Sequence, residues 1–120
     1  MWQGMNRRKF PRADFPCNIT IYKKGQKEKI SARTENIGVG GISVVLKNAL
    51  DKLSMVDLVL YLENGQAAVE CEGRVVWVVK SKEEFDIGIE FLNLKDNDRE
   101  RIERIVQECL KKEQTSSQGQ

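Results

Sequence analysis

Four basic side chains stand close together near the start of the chain, in the segment Arg7-Arg8-Lys9-Phe10-Pro11-Arg12. Guanidinium groups bind phosphate oxygens through paired hydrogen bonds, and they also reach the O6 and N7 acceptors of guanine. Pro11 cannot continue a helix interior and favours an extended conformation at Phe10. Residues 1–12 are therefore predicted to form a basic arm suited to an anionic ligand. Taken alone, such a charge run also fits a solvated tail.

The distribution of charge favours a local role for this arm. Residues 1–12 hold four of the 20 basic side chains and no acidic one, and the rest of the chain has 16 basic against 18 acidic side chains. A nucleic-acid polymer is therefore not the expected partner. Binding of single-stranded nucleic acid stays a third hypothesis, and it would need aromatic side chains exposed on a sheet face.

A second segment is rich in glycine and reads Glu35-Asn36-Ile37-Gly38-Val39-Gly40-Gly41-Ile42-Ser43. Glycine lets a ligand approach the backbone, and successive N–H groups can bind an anion. The amide of Asn36 can both donate to and accept from the edge of a base. By itself the segment also fits a β-bulge or a hairpin at the rim of a barrel.

The residue types argue against catalysis and against a metal site. The chain has no histidine, and Cys17, Cys71 and Cys109 are far apart in the sequence. The commonest general base is therefore missing, and neither a disulfide framework nor a zinc motif is present. No catalytic residue, metal or cofactor is predicted.

The sequence also shows neither a membrane-spanning segment nor a signal peptide. No apolar run approaches the roughly 20 residues that span a bilayer, and the first residues have no apolar stretch typical of a signal peptide. A cytoplasmic protein without membrane insertion is expected.

The elements that must position the two segments are strands, followed by one helix. Apolar residues alternate with a period of two in six stretches: 17–22, 27–36, 42–46, 56–62, 67–79 and 85–91. The fifth stretch is expected to place Val69, Cys71, Gly73, Val75 and Trp77 on one face. From about 97 to 110 the apolar period becomes helical. The pattern predicts a mainly β fold over residues 13–112, namely a six-stranded antiparallel β-barrel with a C-terminal α-helix, and a disordered tail over 113–120.

Together the two segments resemble the PilZ family of bacterial domains, which bind the second messenger cyclic di-GMP. The similarity is carried by R-x-x-x-R at Arg8 and Arg12 and by the motif from Asn36 to Gly41. Three later stretches are also similar: Glu72–Trp77, Phe85–Phe91 and Leu94–Arg101. The resemblance covers residues 7 to about 110 and implies the same barrel.

The resemblance implies a ligand-binding role for seven residues: Arg7, Arg8, Arg12, Asn36, Gly38, Gly41 and Trp77. Arg8 and Arg12 would hold phosphate and guanine, and the Asn36–Gly41 motif would surround a guanine. Arg7 corresponds to an arginine that is associated in the family with binding a stacked pair of ligand molecules. Trp77 is a candidate for apolar contact with the ligand or for packing in the core.

One position departs from the family pattern, because Gly38 stands where the motif has serine. A lost hydroxyl removes a hydrogen bond worth about 0.5–1.5 kcal/mol, so weakened binding is expected. The resemblance implies a cyclic di-GMP receptor or adaptor that relays the signal to an unidentified partner protein. The alternative is a degenerate PilZ-like protein-interaction module that does not bind the nucleotide.

Overall fold

Strands are the predominant element of the computed structural model, which describes residues 12–63 and 65–118. Their side chains alternate between the interior and the surface, as two-residue periodicity requires. The described elements are β1 (Arg12–Asp14), β2 (Asn18–Lys23), β3 (Lys29–Gly38), β4 (Gly41–Leu46), β5 (Met55–Tyr61), β6 (Val69–Ser81), β7 (Glu84–Phe91) and α1 (Asp96–Gln118).

Six of these strands close into an antiparallel barrel. Hydrogen bonding runs in the order β3-β2-β5-β6-β7-β4, and β4 then pairs with β3 to complete the circle. β1 also pairs with β3, at the end of β3 that β2 does not reach. The predicted six-stranded barrel with a C-terminal helix is confirmed, and β1 is one strand more than predicted.

The barrel interior is aliphatic and continues under the helix. Its largest fully buried side chains come from every barrel strand and from α1. Burying one such side chain contributes roughly 1.5–3 kcal/mol. Ile102, Ile105 and Val106 of α1 are buried in the same cluster, and the helix contacts β1 and β3. The helix therefore packs against the two strands that pair with each other at Asn36 to Gly38.

The hydroxyl of Thr34 joins β1 to the barrel across a break at Pro16. Because proline has no N–H, the ladder between the first strands and β3 is interrupted there. Thr34 Oγ1 accepts a hydrogen bond from the Cys17 N–H at 3.0 Å and donates to the Phe15 carbonyl at 2.8 Å. This buried side chain thus satisfies two backbone groups. Arg12, predicted as the last residue of the arm, is the first residue of the strand held in this way.

The helix is longer than the sequence pattern predicts. A disordered tail was expected from residue 113, but α1 continues to Gln118. Residues 111–118 contain no proline or glycine, and lysine, glutamate and glutamine are good helix formers, so nothing local ends the helix earlier. Residues 119–120 lie outside the described residues. Within the described ranges, no helix is both long and apolar enough to cross a membrane.

The junction at Thr34 can be tested with two substitutions. Thr34→Val keeps the shape of the side chain but leaves the Cys17 N–H and the Phe15 carbonyl without this partner. We expect it to lower the free energy of unfolding by about 1–3 kcal/mol, measured by urea denaturation. Thr34→Ser keeps the hydroxyl, removes only a methyl group and should cost less, about 1 kcal/mol. Equal stability of Thr34→Val and the wild type would contradict the assignment.

Candidate functional site

A β-bulge in β3 turns the side chain of Asn36 to the outer face of the barrel. The register between β3 and β4 shifts between Thr34 and Asn36, which leaves Glu35 as the extra residue. Thr34 therefore points into the interior, where it is 2% exposed, although the residue two positions later points outward. Without the extra residue, the two side chains would share one face.

A second bulge, in β6, does the same for Trp77. The alternation of the sequence placed Trp77 on the same face as Val75, and this prediction is wrong. Val75 pairs with the buried Ile89, whereas Trp77 pairs with Gly88 after a register shift at Val76. The extra residue reverses the alternation, so the indole lies on the outer face.

The pairings bring the motif residues into two adjoining rows on that face. Paired residues of neighbouring strands point to the same side of a sheet. The first row runs across β1, β3, β4, β7 and β6: Asp14, Asn36, Ser43, Gly88 and Trp77. The second row crosses the same strands at the register positions of Arg12, Gly38, Gly41, Glu90 and Arg74. We call these two rows the outer face site.

Two glycines of the outer face site are required by close approach. A Cβ atom at Gly41 would overlap the carbonyl oxygen of Ile89 on β7, and the nearby Gly40 carbonyl accepts a 2.9 Å hydrogen bond from Phe91 N–H. A Cβ at Gly88 would overlap the indole of Trp77. The middle of the site is consequently built from backbone and an aromatic ring.

Polar contacts lie at both sides of the outer face site. Ser43 Oγ donates a 2.9 Å hydrogen bond to Asn36 Oδ1. At the other side, Arg74 Nε forms a 2.8 Å ion pair with Glu90 Oε1.

The structure brings together five of the seven residues predicted to bind a ligand: Arg12, Asn36, Gly38, Gly41 and Trp77. Arg7 and Arg8 lie outside the described residues. Sequence reasoning missed Ser43 as a neighbour of Asn36. The signal that could have found it is the tight hairpin at Val39-Gly40, which pairs Gly38 with Gly41 and therefore Asn36 with Ser43.

A cavity in the described part of the chain lies away from the motif residues. A cavity of about 400 Å³ is lined by Ile30, Leu46 and Leu50 together with Lys23 and Lys47, at the start of β3 and the end of β4. The Asn36–Gly41 turn lies at the opposite ends of both strands. This cavity is therefore separate from the outer face site.

The two thiols of the barrel are poor nucleophiles. Burial raises the pKa of Cys17, and it is the main cause that raises the pKa of Cys71 to about 12, with smaller contributions from Asp98, Asp57 and Glu72. The reactive thiolate is therefore scarce at neutral pH.

Comparison with known proteins agrees with the geometry. The profile of the PilZ domain matches residues 6–108, which is most of the chain. The chain belongs to the PilZ domain family. The match includes the basic arm, the strands that form the outer face site and most of α1. No curated protein matches the PilZ chain in sequence.

Solved PilZ-domain proteins share the fold. The Bacillus subtilis inhibitor of motility MotI/DgrA is 23% identical, with a TM-score of 0.75 over 91% of this chain and 52% of its own. The PilZ domain of Escherichia coli YcgR with c-di-GMP is 13% identical, with a TM-score of 0.70 over 93% of this chain and 98% of its own. The K. pneumonia MrkH–c-di-GMP complex is 21% identical, with a TM-score of 0.71 over 92% and 55%. The chain thus spans about half the length of MotI and MrkH.

The contact between Gly88 and Trp77 can be tested by fluorescence in a Trp2→Phe background, which leaves Trp77 as the only tryptophan. Gly88→Ala should push the indole toward solvent and shift its emission to longer wavelength, because the new methyl occupies the place of the ring. Ser31→Thr is the control, since it adds a methyl at an exposed position on the distant half of β3. An unchanged emission maximum in Gly88→Ala would rule out this packing.

The raised pKa of Cys71 predicts slow alkylation. At pH 9.0 the unfolded thiol is about half ionised, whereas the folded thiol is almost entirely protonated. Iodoacetamide should therefore modify Cys71 about 100-fold or more slowly in the native protein than in urea, as followed by peptide mass spectrometry. The stability that the neutral thiol contributes is present below pH 9.0 and is lost as the pH rises toward about 12. Equal rates in the two states would contradict the shift.

Proposed function

We propose that this PilZ domain binds cyclic di-GMP between its basic arm and the Asn36–Gly41 turn, and relays binding to a partner protein. The pairing of β1 with β3 is the observation that carries the proposal. It sets Arg12 at the register position beside Gly38, so the last arginine of R-x-x-x-R adjoins the second motif. Two segments about two dozen residues apart in sequence thus meet at one place.

The chemistry of the two segments complements the two parts of the ligand. Cyclic di-GMP carries anionic phosphodiesters and guanine bases. Arginines from the arm supply paired donors for the phosphates and for guanine O6 and N7. Asn36 supplies an amide at the edge of a base, and the glycines allow the base to approach the backbone. The YcgR and MrkH structures with c-di-GMP, which share this fold, support the same choice of ligand.

Gly38 lowers the expected affinity without removing the main contacts. A serine hydroxyl at this position would add one neutral hydrogen bond, worth about 0.5–1.5 kcal/mol, or at most about tenfold in affinity. Hydrogen bonds to charged groups contribute about 1.5–3 kcal/mol each. Two or three arginine contacts therefore outweigh the missing hydroxyl.

Substitution of the arm arginines tests the proposal directly. Arg8→Ala and Arg12→Ala should each weaken cyclic di-GMP binding about tenfold or more in isothermal titration calorimetry, because each loses a charge-assisted contact. Arg33→Ala is the matched control, since Arg33 is exposed on β3 and pairs with β2 away from the turn. The same titrations give the stoichiometry, and Arg7→Ala reports whether a second ligand molecule is bound. Wild-type affinity in both arm variants would refute the site.

In the proposed relay, the arm closes over the ligand and changes the surface that a partner meets. A ligand shifts such an equilibrium only as far as it binds one arrangement better than the other. The contact of α1 with β1 and β3 offers a route from the arm to the helix surface.

Gly38 also motivates a second candidate, an interaction module that works without the nucleotide. This function predicts that the wild type and Arg8→Ala recover the same partner with equal efficiency, with and without cyclic di-GMP. The receptor function predicts that recovery changes with the ligand in the wild type alone.

A further inference from the structure

The hydrogen bond between Ser43 and Asn36 orients the one amide side chain among the motif residues. Ser43 is only 3% exposed, and its hydroxyl donates to Asn36 Oδ1 at 2.9 Å. A hydroxyl at this depth is costly to leave without a partner, so the contact is a strong restraint on the half-buried amide. The hairpin at Val39-Gly40 sets the pairing of Asn36 with Ser43 that makes this contact possible.

In the structure this hydrogen bond turns the amide oxygen of Asn36 toward Ser43 and the NH₂ group away from it. A carboxamide that turns over freely can present its oxygen or its NH₂ group. Here Oδ1 is engaged toward β4, which leaves the two Nδ2 hydrogens as the groups available to a neighbouring base. The outer face site then presents donors at this position.

Guanine and adenine differ in what they offer to such donors. Guanine has two acceptors, O6 and N7, along one edge. Adenine has the N7 acceptor next to the N6 amino group, and it pairs best with an amide that both donates and accepts. An amide held with its NH₂ group toward the base therefore favours guanine and meets the adenine amino group with a second donor.

We propose that Ser43 is a specificity-determining residue, which acts by positioning Asn36 so that the site prefers guanine to adenine. The inference rests on the proposed binding of a cyclic dinucleotide and adds the source of its base preference. Ser43 is not itself part of the Asn36–Gly41 motif. It lies on β4, two positions after Gly41.

The test compares cyclic di-GMP with cyclic di-AMP by calorimetry for the wild type, Ser43→Ala and Ser43→Thr. The wild type should bind the guanine ligand more tightly. Ser43→Ala should weaken cyclic di-GMP binding about 3- to 10-fold and lower the ratio of the two affinities by about as much. Ser43→Thr keeps the hydroxyl and should restore the ratio. Ser31→Ala, exposed on the distant half of β3, should leave it unchanged.

The ratio of affinities separates a positioning role from a merely structural one, because a loss of stability alone lowers both affinities together. An unchanged ratio in Ser43→Ala, with normal wild-type binding of cyclic di-GMP, would overturn this inference and leave the proposed function standing. A ratio lowered equally in Ser43→Thr would overturn it as well. Absence of wild-type cyclic di-GMP binding would overturn the proposed function and this inference with it.

Discussion

The register of β3 against its neighbours is the constraint on which the rest of the structure depends. Ile37 is fully buried and pairs with Ala13 and Ile42, both of which also face the interior. A slip by one residue would expose this row and bury Asn36 in its place. Each large aliphatic side chain contributes roughly 1.5–3 kcal/mol when it is buried, so the interior holds the register firmly. The chemistry of the outer face is thus held in place by apolar contacts on the other side of the sheet.

Within this fixed register, the two bulges determine which side chains lie on the outer face. Each inserts one residue into a strand whose interior residues are anchored on both sides of it, so only the outward positions change. Asn36 and Trp77 reach the same face for this reason, although they lie on strands that are separated by β4 and β7. Gly41 and Gly88 then accommodate the close approach of the neighbouring backbone and of the indole. The outer face site is a consequence of strand pairing more than of any single loop.

The barrel and the basic arm contribute different parts of the proposed site. Beyond residues 1–12 the chain is slightly acidic, so the barrel alone has little attraction for a phosphate. The arm brings the positive charge, and β1 connects it to the barrel through Thr34 and the pairing with β3. In the proposed PilZ receptor, ligand binding and the attachment of α1 therefore meet at β1, a strand of three residues.

The sequence by itself determined the class of fold, the barrel with its final helix, and the two motifs that identify the family. Alternating apolar residues and a change to helical period are local properties, and they can be read without knowing which strands are neighbours. Only the tertiary structure decided that Trp77 faces outward, that Ser43 holds Asn36, and that Thr34 joins β1 to the barrel across the break at Pro16. These features arise from bulges and cross-strand contacts between residues 7 to 19 positions apart in the chain. Local periodicity cannot report them, because the extra residue of a bulge becomes defined only when a partner strand is opposite.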